Sequence, residues 1–191
     1  RADRFLGVIG LADTPRPGVE SVMRRLREQG VRHLVMLTGD NQAVADRIAR
    51  EVGLTDVRAE LLPEDKQRAI QALERDVGAI AMTGDGVNDA PALASATVGI
   101  AMGGAGTAVA LETADVALMA DDLGKLPFAV GLSRASRAII RQNLWIALGV
   151  IALLLVTSVF GLVELSGAVI LHEGSTILVV LNALRLLAYR D

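Results

Sequence analysis

The sequence predicts an α/β domain built on a mainly parallel sheet, followed by a hairpin of two transmembrane helices. Over residues 5–119, short apolar runs alternate with segments of helical spacing, which is typical of parallel sheets with helices on both faces. Glycine and acidic residues follow several of the apolar runs, as they do where parallel strands end at a ligand site. Two long apolar stretches come last, and each has the length of a helix that spans a bilayer.

The α/β part divides into strands and helices by the length and spacing of its apolar residues. The predicted strands are Phe5–Leu11, Val31–Leu37, Gly78–Met82, Val98–Met102 and Val116–Met119, with the short run Val57–Leu62 ambiguous. The predicted helices are Val19–Gln29 with Gly30 as its C-cap, a helix through Val44 that ends at Gly53, a helix opened by Pro63–Lys66, and a short helix opened by Asn88 and Asp89.

Composition narrows the classes of function. The 191 residues carry a net charge of −3, which gives no support for a nucleic-acid partner. The absence of cysteine excludes disulfides and thiolate metal sites, and it fits a cytosolic setting. Hydrophobic residues make up 52% of the chain, and their excess lies at the C-terminal end. Because Arg1–Phe5 leads almost directly into an apolar strand, we expect the chain to be part of a longer protein.

The most informative segment is Ala81–Leu93, in which an apolar strand leads into Thr83-Gly84-Asp85-Gly86. The two glycines permit backbone turns that other residues resist, and Pro91 suits the first turn of the helix that Asn88 and Asp89 open. Turn formation does not explain the specific polar side chains around these glycines, so we interpret the segment as functional. Carboxylate oxygens at the end of a strand favour Mg²⁺ and a phosphate over zinc.

Two further polar groups follow apolar segments. Thr38-Gly39-Asp40 ends the second predicted strand, and Lys66 follows the ambiguous segment. Phosphoryl transfer needs hydroxyl and amide donors, positive charge and a metal ion. Thr38 and Gly39 could donate to phosphate oxygens, Lys66 could supply the charge, and Asp85 could bind Mg²⁺ with Asp89 beside it. Taken alone, Thr-Gly-Asp is a common turn, and a lysine at a helix start is an ordinary solvated side chain.

The last third of the chain predicts a membrane hairpin. Leu144–Val163 carries no charged residue, and Leu165–Leu187 follows after almost no loop, so we expect an antiparallel pair. The preceding helix, residues 123–142, has arginines at polar positions, and Arg185 and Arg190 end the second span. These arginines place both outer ends in the cytoplasm. The alternative is a buried helical hairpin in a soluble core. The predicted domains are therefore residues 1–122, 123–143 and 144–187.

These motifs carry a family resemblance. Thr38–Asn41 followed by Gly84–Leu93 resembles the hinge end of the phosphorylation domain of P-type ATPases, which has a haloacid-dehalogenase-like, Rossmann-like fold. Asp13–Pro17 resembles that family's Asp-x-x-Arg-Pro element, and the resemblance covers essentially the whole chain. It implies that Asp85 binds Mg²⁺ with support from Asn88 and Asp89. The residues implied around the phosphate on a catalytic aspartate are Thr38, Gly39 and Lys66, with Asp40 in the same motif.

One departure from the family is large. The family's phosphate-accepting Asp-Lys-Thr-Gly-Thr motif appears nowhere in the sequence, and neither do its nucleotide-binding and actuator domains. We therefore expect this chain to be the C-terminal part of an ATP-driven pump of the plasma membrane, with its α/β domain in the cytoplasm. We expect the chain to be inactive without the N-terminal part of the pump. The alternatives are a membrane-anchored phosphatase of the same fold, for which Asp13 is the candidate nucleophile, and a non-catalytic fragment.

The second span contains the polar segment Leu171–Thr176. Ionisable groups are costly in hydrocarbon, so we interpret Glu173 and Thr176, which share a helical face, as ligands of a transported ion, with His172 as a third ligand. The alternative is a polar contact between helices. The hairpin resembles the last two helices of heavy-metal P-type ATPases, and its His-Glu-Gly-Ser-Thr segment resembles the cobalt-type subgroup. We therefore expect Co²⁺, with Zn²⁺, Cd²⁺ and Ni²⁺ as alternatives.

Overall fold

The computed structural model describes residues 14–84, 88–103, 112–119 and 122–190. The chain forms two compact units, Arg1–Leu126 and Pro127–Asp191. The predicted strand Phe5–Leu11, the candidate nucleophile Asp13 and the predicted Mg²⁺ ligand Asp85 lie outside the described residues.

The first unit alternates strands with helices, as the sequence predicts. Its helices are α1 (Val19–Glu28), α2 (Gln42–Val52), α3 (Pro63–Val77) and α4 (Ala90–Ser95). Its strands are β1 (Val35–Leu37), β2 (Asp56–Arg58), β3 (Ala81–Gly84), β4 (Val98–Met102) and β5 (Val116–Leu118). β1 pairs with β2, and β3, β4 and β5 form a second sheet in that order. Each of these pairings is parallel, so the predicted parallel α/β architecture is confirmed.

A helix-ending turn at Gly30 explains why β1 begins later than predicted. Gly30 has a φ of 85°, in the left-handed region that glycine favours. The N–H of Val31 donates to the carbonyl of Leu26 at 3.0 Å, and this bond closes α1. Val31 is therefore part of the capping turn that follows α1, and the strand begins only at Val35.

The same effect shifts the start of β3. Gly78 has a φ of 86° and caps α3, since its N–H donates to the carbonyl of Glu74 at 3.0 Å. The predicted strand Gly78–Met82 is therefore wrong in its bounds: β3 runs from Ala81 to Gly84. Of the ambiguous run Val57–Leu62, the first two residues belong to β2.

The core of the first unit joins α3 and α4 to β3. Its buried residues are Ile70, Met82, Ala92 and Leu93, with Leu37, Ile80 and Ala96 packed against them. α4 lies so close to β4 that a Cβ atom at Gly99 would stand 2.8 Å from the carbonyl oxygen of Leu93. Because only glycine lacks that atom, Gly99 allows the short helix to lie directly on the sheet.

The second unit is a pair of long helices. α5 runs without a break from Lys125 to Val159, so the predicted connecting helix and most of the first predicted span form one helix of 35 residues. α6 spans Leu165–Leu184 and continues as a 3₁₀ turn, Arg185–Ala188. Within this unit the Asn182 side chain donates to the Asn143 side chain at 2.8 Å. This contact between residues far apart in the chain shows that the two helices are antiparallel.

Both helices are long and apolar enough to cross a membrane. Only 6% of the most apolar window of each helix is buried inside the chain. Large side chains such as Trp145, Leu155 and Leu165 are 71%, 63% and 83% exposed. A helical hairpin in a soluble core would bury these residues, so the burial pattern favours the membrane hairpin over that alternative.

Candidate functional site

An ion pair between α3 and α4 forms the centre of the candidate site. The Nζ atom of Lys66 lies 2.7 Å from Oδ1 of Asp89. The two side chains are only 17% and 16% exposed, so Lys66 is not a solvated side chain at a helix start. Its position is set by the first turn of α3, where the Asp65 carboxylate accepts the N–H of Leu62 at 3.2 Å.

Asp89 lies at the N-cap position of α4 but does not cap it, because its side chain makes no capping hydrogen bond. It turns instead toward Lys66 and packs against the end of β3. A Cβ atom at Gly84 would stand 2.8 Å from Oδ2 of Asp89, so glycine is required there for the carboxylate to take this place. The role of Gly84, the first glycine of the predicted Gly-Asp-Gly segment, is thus to leave room for the Asp89 carboxylate.

Thr38-Gly39-Asp40 forms a tight loop after β1. The Thr38 hydroxyl donates to Oδ2 of Asp40 at 2.7 Å and accepts the Asp40 N–H at 3.1 Å. The loop is tied to the segment after β2, since the carbonyls of Thr38 and Asp40 accept the N–H groups of Leu61 and Glu60 at 3.0 and 2.9 Å. To donate to a phosphate, the Thr38 hydroxyl must rotate away from Asp40.

The Thr38 loop and the strand before Asp89 share one part of the core. Leu37, which precedes Thr38, packs against the cluster that contains Met82 of β3. β1 and β3 belong to separate sheets, and both contribute to this cluster. In the part of the chain that the structure describes, no hydrogen bond joins the Thr38 loop to the Lys66–Asp89 pair. Asn88 is exposed beside Asp89.

The polar segment of α6 divides between two sides of the hairpin. Ser175 is buried, 9% exposed, and its hydroxyl donates to the carbonyl of His172 at 2.6 Å. The side chains of His172, Glu173 and Thr176 are exposed, and Thr176 also donates to the His172 carbonyl at 3.3 Å. Gly174 and Ser175 line an apolar cavity of about 290 Å³ between α5 and α6. Among the described residues, no group of three or more His, Asp or Glu residues could hold a metal ion.

The sequence comparisons identify the first unit. A family model described as haloacid dehalogenase-like hydrolase matches residues 1–97 of the 191. The chain belongs to the haloacid dehalogenase-like hydrolase family. This result agrees with the parallel α/β fold of the described residues.

Relatives of this haloacid dehalogenase-like chain match nearly all of it. A probable cadmium-transporting ATPase of Staphylococcus aureus strain MRSA252 is 50% identical over 187 residues, which cover 98% of this chain and 26% of that protein. A probable cobalt/nickel-exporting P-type ATPase of Mycolicibacterium smegmatis is 45% identical over 185 residues, 97% of this chain and 29% of that protein. The chain is homologous to heavy-metal P-type ATPases, as the motifs predict, and it spans about a quarter of their length.

A solved structure shows the same likeness in three dimensions. The crystal structure of a zinc-transporting PIB-type ATPase in an E2.Pi state is 49% identical, with a TM-score of 0.88. The match covers 98% of this chain and 30% of that chain. The haloacid dehalogenase-like unit and the two apolar helices are therefore both part of the matched region.

The predicted Mg²⁺ ligand Asp85 lies outside the described residues, so the fit of a metal ion is judged from the chemistry of the segment and from Asp89. Magnesium prefers hard oxygen ligands, and Asp85 supplies a carboxylate directly after Gly84. Oδ2 of Asp89 lies against Gly84, while Oδ1 of the same carboxylate is occupied by Lys66. Asp89 therefore keeps one carboxylate oxygen, Oδ2, that Lys66 does not contact, at the end of β3, and carboxylate oxygen is a ligand type that suits Mg²⁺.

Two residues beside the candidate site, Gln67 and Ser95, are not among the site residues predicted from the sequence. The Gln67 side-chain amide donates to the Ser95 hydroxyl at 2.9 Å, and this bond joins α3 to α4. Neither residue belongs to a motif, and they are 28 positions apart. The sequence offers one hint of their role, which is that Gln67 directly follows Lys66, a residue of the predicted phosphate site.

Proposed function

We propose that the complete protein is a P-type ATPase that hydrolyses ATP through an aspartyl-phosphate intermediate to export a divalent heavy-metal ion. The observation that carries this proposal is the shielded Lys66–Asp89 pair at the carboxyl end of β3, in a chain that also carries a membrane hairpin with a central carboxylate. Shielded charges next to a glycine-rich strand end suit the binding of a phosphoryl group. The names of the relatives support the same activity.

In this proposal, the described residues divide the work of phosphoryl transfer. Thr38 and the Gly39 amide donate to phosphate oxygens, with Asp40 holding the Thr38 hydroxyl until phosphate arrives. Lys66 neutralises charge that develops on the phosphoryl group. Asp85 would hold Mg²⁺, which would supply positive charge to the phosphoryl group. Asn88 and Asp89 support that metal site, and the acceptor aspartate and the ATP site lie in a part of the protein outside these residues.

Lys66→Ala is expected to lower the rate of phosphoenzyme formation from ATP by about 100-fold, because it removes a preorganised cation from the phosphate. The rate is measured in the complete protein with radiolabelled ATP. Lys66→Arg keeps the charge with a different donor geometry, so we expect it to recover only part of the rate. Arg75→Ala is the matched control, since Arg75 is an exposed cation in the last turn of the same helix. Equal rates for Lys66→Ala and the control would contradict the role of Lys66.

We propose further that His172, Glu173 and Thr176 contribute ligands for the exported ion. All three side chains are exposed on the hairpin, where ligands from other helices of a complete pump can reach them. The arginines of α5 and Arg185 support the further proposal that the haloacid dehalogenase-like unit lies in the cytoplasm, because positive charge favours the cytoplasmic side of a membrane. Imidazole and oxygen ligands suit a borderline divalent ion better than Cu(I).

Cobalt is the ion that we propose as cargo, on the likeness of the His-Glu-Gly-Ser-Thr segment to the cobalt-type subgroup. Metal-stimulated ATP hydrolysis by the complete protein is expected to be largest with Co²⁺ when Co²⁺, Zn²⁺, Cd²⁺ and Ni²⁺ are compared at equal free concentration. Buffered metal is essential, because Zn²⁺ binds such ligands more tightly than Co²⁺. Stimulation by Zn²⁺ or Cd²⁺ alone would overturn the assignment of the metal but leave the pump intact.

A further inference from the structure

α3 and α4 are joined by polar contacts on both sides of an apolar centre. At one end of α4, Asp89 pairs with Lys66 at 2.7 Å. At the other end, Ser95 accepts a hydrogen bond from Gln67 at 2.9 Å. Between these contacts, Ile70 of α3 packs with Leu93 of α4 in the buried core. Lys66 and Gln67, which are consecutive in α3, therefore contact opposite ends of α4.

The Ser95 hydroxyl is held in place by a hydrogen bond within α4. The Ser95 hydroxyl donates to the carbonyl of Pro91, one turn earlier in α4, at 2.8 Å. Its oxygen is thus oriented to accept from the Gln67 amide, and both groups are part-buried. The backbone of α4 rests directly on β4 at Gly99, where a Cβ atom would stand 2.8 Å from the Leu93 carbonyl oxygen. The Gln67–Ser95 bond therefore ties α3 to a helix that lies against the sheet.

We propose that Gln67 and Ser95 are positioning residues for Lys66. This inference rests on the proposed function, in which Lys66 contacts the phosphoryl group. A lysine side chain is long and flexible, so one contact with Asp89 does not by itself fix where the ammonium group lies. The Gln67–Ser95 bond, made by the adjacent residue, holds the start of α3 against α4 beside Lys66, so that the ammonium group is held where phosphate binds. Gln67 and Ser95 do not themselves touch the phosphate.

Inhibition of the metal-stimulated ATPase by orthovanadate, a phosphate analogue, tests the proposal in the complete protein. Gln67→Ala and Ser95→Ala are each expected to weaken vanadate inhibition about fivefold, the effect of losing one hydrogen bond. The double variant should be no weaker than either single variant, because both changes remove the same bond. Ser95→Thr keeps the hydroxyl and should restore inhibition. Gln71→Ala, the same residue type one turn later and exposed, should match the wild type.

The variants also separate positioning from stability. In a Lys66→Ala background, Gln67→Ala should cause no further change in vanadate inhibition, because Gln67 acts through Lys66. A lower melting temperature with unchanged vanadate inhibition in both single variants would overturn the proposal and leave only a structural bond. If Lys66→Ala itself kept full vanadate sensitivity, the proposed function of Lys66 would fail. If Lys66→Ala lost sensitivity while Gln67→Ala did not, the positioning role alone would fail.

Discussion

Asp85→Ala is expected to abolish the phosphoenzyme that the complete protein forms from ATP, with a loss of about 10³-fold or more. Asp85 follows β3 directly and is separated from Asp89 by three residues. In the proposed mechanism its carboxylate holds Mg²⁺, and the metal neutralises charge on the transferring phosphoryl group. Asp89 has one carboxylate oxygen on Lys66, and Asn88 carries a neutral amide, so neither is expected to replace the negative charge of Asp85. The measurement is acid-stable incorporation of label from radiolabelled ATP.

The control for this experiment lies on the same unit. Asp76→Ala removes an exposed carboxylate from the last turn of α3 and should leave labelling unchanged. Asp85→Asn keeps the shape but weakens metal binding, so its residual labelling should rise with Mg²⁺ concentration. Normal labelling of Asp85→Ala would remove the basis for a magnesium site in this segment.

The parts of the fold that could be predicted from sequence are those set by local pattern. β4 has the predicted bounds Val98–Met102, because an uninterrupted apolar run marks a strand buried in a sheet. α2 ends at Gly53, which has a φ of 72° and lies where glycine relieves steric strain. Strand starts were harder to predict. Gly30 and Gly78 end helices and delay β1 and β3, and the apolar residues beside these glycines do not reveal which element they join.

The candidate site was predicted as a set of residues but not as a set of contacts. Motif and resemblance pointed to both Lys66 and Asp89, yet nothing in the sequence shows that their side chains meet, because they lie 23 positions apart. The bond between Thr38 and Asp40 is local and agrees with the turn that Thr-Gly-Asp favours. The Gln67–Ser95 bond depends on how two helices pack, and no local signal carries that information.

In the hairpin, too, the sequence predicts the elements better than their bounds. Length and charge predicted two apolar spans, and the structure has two helices of that kind. The sequence predicts a connecting helix, residues 123–143, and then a span that starts at Leu144, and in the structure α5 is continuous through Gln142 and Leu144. Helical spacing continues across the change from polar to apolar residues there, and neither proline nor glycine interrupts it. A change in composition is therefore not a helix boundary.

Glu173→Ala is expected to remove metal-stimulated ATP hydrolysis, a loss of about 100-fold, while phosphorylation by inorganic phosphate remains. Glu173 is exposed on the hairpin, whereas its neighbours Gly174 and Ser175 line the cavity between α5 and α6. A carboxylate at this depth is costly in hydrocarbon unless a cation or a hydrogen-bond donor accompanies it. If that cation is the exported metal, removal of the Glu173 carboxylate abolishes the stimulation of ATP hydrolysis by metal. The phosphate site in the haloacid dehalogenase-like unit stays unchanged.

The decisive comparison is between two glutamates of the same hairpin. Glu164→Ala changes an exposed glutamate just before α6, outside both helices, and should keep full metal stimulation. Glu173→Asp retains a ligand on a shorter side chain, so it should keep stimulation at a higher metal concentration. Ser175→Ala removes the bond to the His172 carbonyl and should leave metal affinity within about threefold of wild type, since Ser175 packs between helices. Metal stimulation that survives in Glu173→Ala would show that the carboxylate serves helix packing and that the ion takes its ligands elsewhere.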